Sequence, residues 1–264
     1  MIIDGRALAK EILARAKTRA ALLPRPPVVL AYAPLKTPAT ASYLKIKMKS
    51  AGEAGCLFKE TDQLVSFAAA DAVIIQLPLP SILSHEILNA IPVAQDADVL
   101  SRAARTLFER NEESALLPPV VAAMKEILDQ AQTSVQGKRA VVIGNGFLVG
   151  VPVATWLKHK GAQVTVADSR TKDLPEILHA SDIVVSGAGV PHLITPDMLK
   201  EGVILIDAGT SESGGAIVGD ADPACAAKCV LFTPVPGGIG PVAVACLFEN
   251  ALALASRRIS LPSA

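Results

Sequence analysis

"VVIGNGFLVGVP", Val141 to Pro152, decides the reading of the fold. It opens as an apolar β-branched run, turns through Gly144, Gly146 and Gly150, and continues into helix-forming residues. A first glycine permits a tight turn off a strand. A second lets backbone amides approach a pyrophosphate, and the helix that follows offers its positive N-terminal end to an anion. The spacing is Gly-x-Gly-x-x-x-Gly, one residue longer than the usual dinucleotide fingerprint, so alone it is also compatible with a ligand-free turn. Two further features favour a nicotinamide dinucleotide. The next apolar strand ends in "VADSRT", which puts Asp168 24 residues after Gly144, where a carboxylate commonly accepts from a ribose 2′-hydroxyl. "SGAG" and "DAGT", the latter ending at Thr210, place small residues at strand C-terminal ends, where open α/β sheets bind ligands. Ser169 and Arg170 pull the other way from Asp168, because a guanidinium offers paired donors to a 2′-phosphate. The choice between NAD and NADP stays open on these residues.

Outward from this turn, strands and helices alternate. The run from Pro118 reads as an amphipathic helix leading into it. "AQVTVAD", "DIVVSGAG" and "GVILIDAG" read as strands, and a last helix spans about Val242 to Arg257. In the N-terminal half, Leu8, Ile12, Leu13, Ala16 and Ala20 recur at helical spacing, "VVLAY" is a strand, and Leu44, Met48 and Ala51 form a helical stripe. "DAVIIQLPLP" is a buried strand halted by prolines, with a short helix following at Glu86 to Ile91. The pattern predicts an α/β protein of two domains. An N-terminal α/β domain takes 1-118 plus 242-264, and a Rossmann-like, doubly wound parallel-sheet domain takes 119-241.

Composition narrows the function classes. Lysine plus arginine and aspartate plus glutamate both number 25, which gives a nucleic-acid partner no electrostatic support. The N-terminus is charged by its fourth residue, which argues against a signal peptide. The sequence offers no clear membrane span. Cys56, Cys225, Cys229 and Cys246 lack the paired spacing of a disulfide framework or metal site, so no metal is expected and a cytoplasmic location is.

The N-terminal half holds a second constellation. Tyr43 and Lys47 are four apart and share a helix face. A solvated lysine face, with Lys45 and Lys49 nearby, would explain that spacing without chemistry. Gln76 changes the balance, because it ends an apolar strand just before "LPLP" and can orient a proton-transferring lysine. Asp98, in "PVAQDADVL", can accept two donors from a heterocycle, although by itself it also reads as an ordinary loop acid. "TPVPGGIGP" supplies Pro236, Gly237 and Gly238, a stiff loop suited to pressing against a flat ligand.

Taken in order along nearly the whole chain, these segments resemble the bifunctional methylenetetrahydrofolate dehydrogenase/methenyltetrahydrofolate cyclohydrolase family. "IIDGRALA" is similar to its start. "ATASYLKIK" is similar to its Ala-Ser-x-x-Tyr-x-x-x-Lys helix, with Thr40 where serine is usual, and "IIQLPLP" to its hallmark strand. "QDAD", "IGNGFLVGVP", "DSRTKDL", "VGDAD" and "TPVPGGIGP" also match, and the family's turn accounts for the late third glycine. The resemblance implies oxidation of methylenetetrahydrofolate with NADP+, with NAD possible, followed by hydrolysis of the methenyl product to formyltetrahydrofolate. It puts the catalytic lysine on Lys47, the ring-stacking tyrosine on Tyr43, the lysine-orienting glutamine on Gln76 and the pterin-binding aspartate on Asp98. It also implies a homodimer.

The departures fall mostly elsewhere. Val99 stands for the glycine after Asp98, and "ALLP" for Pro-Cys-Thr-Pro. Asn145 and Gly146 replace an arginine and a serine of the cofactor turn, Asp168 a histidine, and Val242 and Ala243 a methionine and a threonine. Those cofactor-side changes leave room for two rivals: another NAD-dependent dehydrogenase acting on a small acid, or a non-catalytic folate- or nucleotide-binding relative.

Overall fold

In a computed structural model, residues 1–63, 66–81, 85–213 and 216–259 are described. The chain divides into two compact units, Ala9–Pro119 with Val244–Ala264 and Met1–Leu8 with Val120–Ala243.

In the first unit, α1 (Gly5–Ala20, shared with the second unit) buries Leu8, Ile12, Leu13, Ala16 and Ala20 along one stripe. β1 (Val28–Tyr32) follows, then α2 (Pro38–Glu53), β2 (Leu57–Thr61), β3 (Ala72–Ile75) and α3 (Arg102–Glu109). The three strands form a parallel sheet ordered β2-β1-β3. β1 and β3 are buried throughout or nearly so. β2, at the edge, carries the polar sequence "LFKET". Leu30, Tyr32, Val73 and Ile75 pack with Leu88 and Ile91 into a core that holds the end of β3 in place. The expected helix at Glu86 to Ile91 is a 3₁₀ helix, His85–Ala90.

In the second unit, α4 (Pro119–Gln130) leads into β4 (Arg139–Ile143), α5 (Gly150–His159), β5 (Gln163–Ala167), α6 (Leu174–His179), β6 (Ile183–Ser186) and β7 (Val203–Asp207). A two-stranded β8 (Ser211–Ser213) and β9 (Ala216–Val218) precede β10 (Cys229–Thr233). The parallel sheet runs β10-β7-β6-β4-β5. The chain steps outward from β4 to β5 on one side and from β6 onward on the other, so the order reverses between β4 and β6. Met1–Leu8 group with this unit because Ile3 N donates to Phe232 O at 2.9 Å and Gly5 N to Gly237 O at 2.9 Å.

α7 (Ile239–Ile259) closes the described chain. It is long and apolar enough to cross a membrane, but most of that length is buried within the protein. Asn250 on it donates to the carbonyls of Ala97 and Leu117, both at 2.9 Å, as suits a core helix whose polar group must be satisfied.

Candidate functional site

Two groupings emerge, one in each unit. In the first, Thr37 caps α2: its hydroxyl accepts from Thr40 N at 3.1 Å, and Thr40 Oγ1 accepts from Thr37 N at 2.8 Å. This reciprocal box uses the hydroxyl of Thr40, the position at which the resemblance expects serine. The buried arc of α2 passes through Thr40, Leu44 and Ala51. Met48, expected on that stripe, is instead 49 % exposed, because it lies off the arc's centre. Lys47 lies on the arc's edge and is half-buried, and Tyr43, one turn earlier, is 42 % exposed.

Lys47 Nζ donates to Gln76 Oε1 at 3.0 Å. Gln76 is buried, its Nε2 donates to Leu77 O at 2.7 Å, and its backbone N–H continues the β3 ladder to Tyr32 O at 2.9 Å. With the amide nitrogen thus committed, the side-chain oxygen is the group left to face the lysine. The Leu77–Pro78 bond that follows is cis.

Asp98 is half-buried beside this pair. Burial pushes its carboxyl above the usual aspartate range, Lys47's charge opposes the shift and Asp96 adds to it. Asp96 itself accepts from Leu100 N at 3.1 Å and Ser101 N at 2.7 Å, which pins the turn that carries Asp98. Between them Val99 is buried with φ of 56°, the left-handed region that favours glycine.

In the second unit the glycine turn is built by close backbone approach. A Cβ on Gly150 would lie 2.0 Å from Gly144 O, and one on Gly144, whose φ is 94°, would lie 2.8 Å from Gly187 O. Gly146 has open space where its Cβ would be. The first and third glycines thus fold the turn on itself ahead of α5, and the middle one leaves approach room for a ligand. Those features fit a dinucleotide pyrophosphate at Gly144, Asn145 and Gly146.

Asp168 follows β5 directly. Its Oδ2 accepts from Arg170 Nη2 at 2.7 Å and Nε at 3.3 Å, while Oδ1 accepts from Arg170 N at 2.9 Å. The hydrogen bonds from Arg170 hold the carboxyl below its usual range, and the same bond raises the guanidinium. The two residues whose sequence signals conflict are spent on each other. Ser169, between them, is exposed, and Thr210 is exposed after β7, three strand positions away from β5 in the sheet.

Pro236, Gly237 and Gly238 lie in this second unit. The Val235–Pro236 bond is cis, Gly237 has φ of 104°, and Gly238 N donates to Pro234 O at 2.7 Å. A Cβ on Gly5 would meet Gly238 O at 1.7 Å, so the N-terminal "DGR" packs directly on the proline-glycine loop.

Sequence reasoning passed over two buried acids, Asp207 and Asp220, behind the strand-end loops. Asp207 accepts from Gly209 N and Ala221 N, both at 2.9 Å, and burial pushes it up to about 6. The only local signal was an acid inside "LIDAG" and "VGDAD". Among the described residues no group of three or more histidine, cysteine or acidic side chains is placed to hold a metal.

Comparison with known proteins adds the family. Residues 118–259 match the family described as tetrahydrofolate dehydrogenase/cyclohydrolase, NAD(P)-binding domain. The chain is 36 % identical over 272 residues to the "Bifunctional protein FolD" of Thermotoga petrophila, covering 98 % of this chain and 99 % of that protein. It is 33 % identical over 276 residues to the protein of that name in Hydrogenobaculum sp., with 98 % and 99 % covered. Among solved structures, the Campylobacter jejuni bifunctional FolD superposes with a TM-score of 0.92 at 31 % identity, covering 98 % of this chain and 99 % of that one. The Trypanosoma brucei enzyme, complexed with NADP cofactor and inhibitor, gives 0.91 at 32 % identity, with 99 % of each chain covered.

Proposed function

This chain belongs to the tetrahydrofolate dehydrogenase/cyclohydrolase family, and we propose that Lys47 is the proton-transfer residue of its hydrolytic step. The protein oxidises methylenetetrahydrofolate to methenyltetrahydrofolate with NADP+ and hydrolyses that product to formyltetrahydrofolate. The observation that carries the lysine assignment is the 3.0 Å bond from Lys47 Nζ to a buried, singly oriented Gln76.

The chemistry divides the labour. NADP+ accepts the hydride from the one-carbon bridge, a step that needs alignment more than a protein acid or base. Hydrolysis is different: water must lose a proton as it attacks the cationic methenyl carbon, and the departing nitrogen must gain one. Gln76 fixes the lysine stem so that the remaining hydrogens or lone pair of Nζ are aimed rather than averaged over rotamers. Tyr43, one helical turn away, gives a flat ring for the pterin to stack on. Asp98 accepts from the pterin's amino and ring nitrogens, and Pro236, Gly237 and Gly238 present stiff backbone to the flat substrate. For the cofactor, Gly144, Asn145 and Gly146 take the pyrophosphate, and Asp168, Ser169, Arg170 and Thr210 line the strand ends.

The same reading includes a homodimer and a cytoplasmic location, with neither nucleic acid nor membrane as partner. The edge strand β5, with Val166 39 % exposed, supports pairing through the second unit. Four free cysteines support a reducing compartment, and balanced charge supports the absence of nucleic acid. The test is to give purified protein methylenetetrahydrofolate with NADP+ or NAD+ and follow both reduced cofactor and formyl product. Cofactor reduction that stops at the methenyl compound would remove the role given to Lys47.

A further inference from the structure

Asp220 is fully buried and collects four donors. Its Oδ2 accepts from Ser186 Oγ at 2.6 Å, Ala188 N at 2.7 Å and Gly189 N at 3.3 Å, and its Oδ1 from Val190 N at 2.8 Å. All four belong to one short segment, the end of β6 and the loop leaving it. A buried carboxylate carries a large desolvation cost unless such donors surround it, and an apolar side chain would fill the space more cheaply. What the carboxylate adds is direction, because each donor fixes one backbone position of the loop.

That loop sits where a ligand is expected. Ser186 is the register partner of Ile143, the last residue of β4, and Gly187 N donates to Ile143 O at 2.9 Å. β4 and β6 flank the point where the sheet order reverses, and doubly wound sheets bind ligands in the crevice outside that point. The loop also bears on the glycine turn. A Cβ on Gly187 would lie 2.5 Å from Val149 Cγ1, and Gly187 O is the atom that denies Gly144 a side chain. Displacing residues 186–190 by a fraction of an ångström therefore displaces the turn as well.

A second acid steadies the first. Asp207 accepts from Ala221 N, the residue after Asp220, and from Gly209 N in the loop that leaves β7. A Cβ on Gly209 would lie 2.1 Å from the Asp220 carboxyl carbon, and one on Gly219 would lie 2.1 Å from Asp207 Oδ2. The loop after β7 and the segment that carries Asp220 are thus pressed onto the two carboxylates, with no room for slack.

We propose that Asp220 is a positioning residue for the dinucleotide: its buried carboxylate clamps the loop after β6 against the Gly144 turn at the switch point of the sheet. The proposal rests on the dinucleotide reading of that turn. It makes cofactor affinity depend on Asp220 while the chemistry at Lys47 does not.

The test is Asp220→Asn, which keeps size but, whichever way the amide turns, sets its NH2 against backbone N–H donors (Val190 N, or those now shared by Oδ2), together with Ser186→Ala, which removes one donor. Expected for Asp220→Asn is a KM for NADP+ raised about tenfold with kcat at saturating cofactor within about twofold. Its hydrolysis of methenyltetrahydrofolate, which needs no cofactor, should stay within about twofold of wild type. Ser186→Ala should raise the same KM about threefold with the same split. Should Asp220→Asn fail to fold by circular dichroism, Ser186→Ala decides by that split alone. An unchanged KM for NADP+, or dehydrogenase and cyclohydrolase activities falling together, overturns the proposal. Titrating wild-type protein with NADPH in the absence of folate tests the underlying reading separately, since wild type that binds no NADPH defeats it whatever the variants do.

Discussion

The Lys47–Gln76 pair and the Asp168–Arg170 pair are similar in length, at 3.0 and 2.7 Å, yet they differ in worth. Gln76 is buried at the end of a packed strand and Lys47 projects from the edge of a packed helix, so water competes little and few rotamers remain. Arg170 leaves its side chain 88 % exposed in a loop, where water and salt replace whatever Asp168 supplies. The first pair is a fixed instrument and the second is a resting contact that a stronger ligand can displace. A distance ranks neither; the burial of the partners does.

The hardest blow to this contrast is Lys47→Ala. If the packed pair is the proton-transfer device, cyclohydrolase activity should fall about 10²- to 10⁴-fold, while hydride transfer survives in part. A variant that hydrolysed methenyltetrahydrofolate at the wild-type rate would reduce Lys47 to the solvated face that its spacing alone allowed. Gln76→Ala should reproduce a smaller part of that loss, because the lysine remains but is no longer aimed.

Asp98→Ala ranks next. Truncating one partner of a largely desolvated charged contact costs roughly 2–4 kcal/mol, so folate affinity should drop by about two orders of magnitude. The pH dependence has a definite sign. Asp98 must be ionised to accept from the pterin, and burial raises its carboxyl. Wild-type folate affinity should therefore decline on acidification starting above the ordinary aspartate range, and the alanine variant should lack that decline. Equal folate binding by the two proteins, measured calorimetrically, would return Asp98 to an ordinary loop acid.

Why one region was legible in the sequence and the other less so follows from the same contrast. Regular elements advertise themselves: the spacing of Tyr43 and Lys47 on a helix, and of Gln76 at the end of an apolar strand, survives in one dimension. The alternation of strands and helices likewise gave the doubly wound sheet. β2 went unread because an edge strand such as "LFKET" need not be apolar, and α3 because "RAARTLFE" is mostly charged or small. Asp220 was invisible for a deeper reason. Its donors lie 30 to 34 residues earlier in the chain, so nothing adjacent to it says that it is buried. The Asp168–Arg170 contact was read as two opposed signals, since a sequence does not tell whether neighbouring opposite charges face a ligand or each other.

Arg170→Ala tests the displaceable pair. With an incoming 2′-phosphate, the guanidinium exchanges an exposed carboxylate for a dianion with better-matched paired donors. The KM for NADP+ should rise about tenfold in the variant and that for NAD+ stay nearly constant. NADP+ should be the preferred cofactor of the wild type by a narrow margin, because Asp168 remains beside the same ribose. A strong wild-type preference for NAD+, reversed by Asp168→Ser, would mean that the carboxylate and not the arginine governs this loop.

The smallest effect expected is at Val99, and it asks how rigid the first region is. A buried β-branched residue at φ of 56° stores roughly 1–3 kcal/mol of backbone strain, which glycine would release. Against that, glycine forfeits about 1.5–3 kcal/mol of side-chain burial and about 0.5–1 kcal/mol of chain entropy. The terms nearly cancel, leaving Val99→Gly destabilised by about 1 kcal/mol, a fall in Tm of about 2–4 °C for a chain of this size. Val99→Ala separates the terms, because it loses most of the burial and keeps part of the strain. If the left-handed turn beside Asp98 is strained, the glycine variant will melt no lower than the alanine variant despite lacking its methyl group. A steady descent from valine to alanine to glycine, in steps of about 1 kcal/mol, would show that Val99 sits there without strain. The rigidity credited to the Asp98 turn would then have to come from the bonds of Asp96 alone.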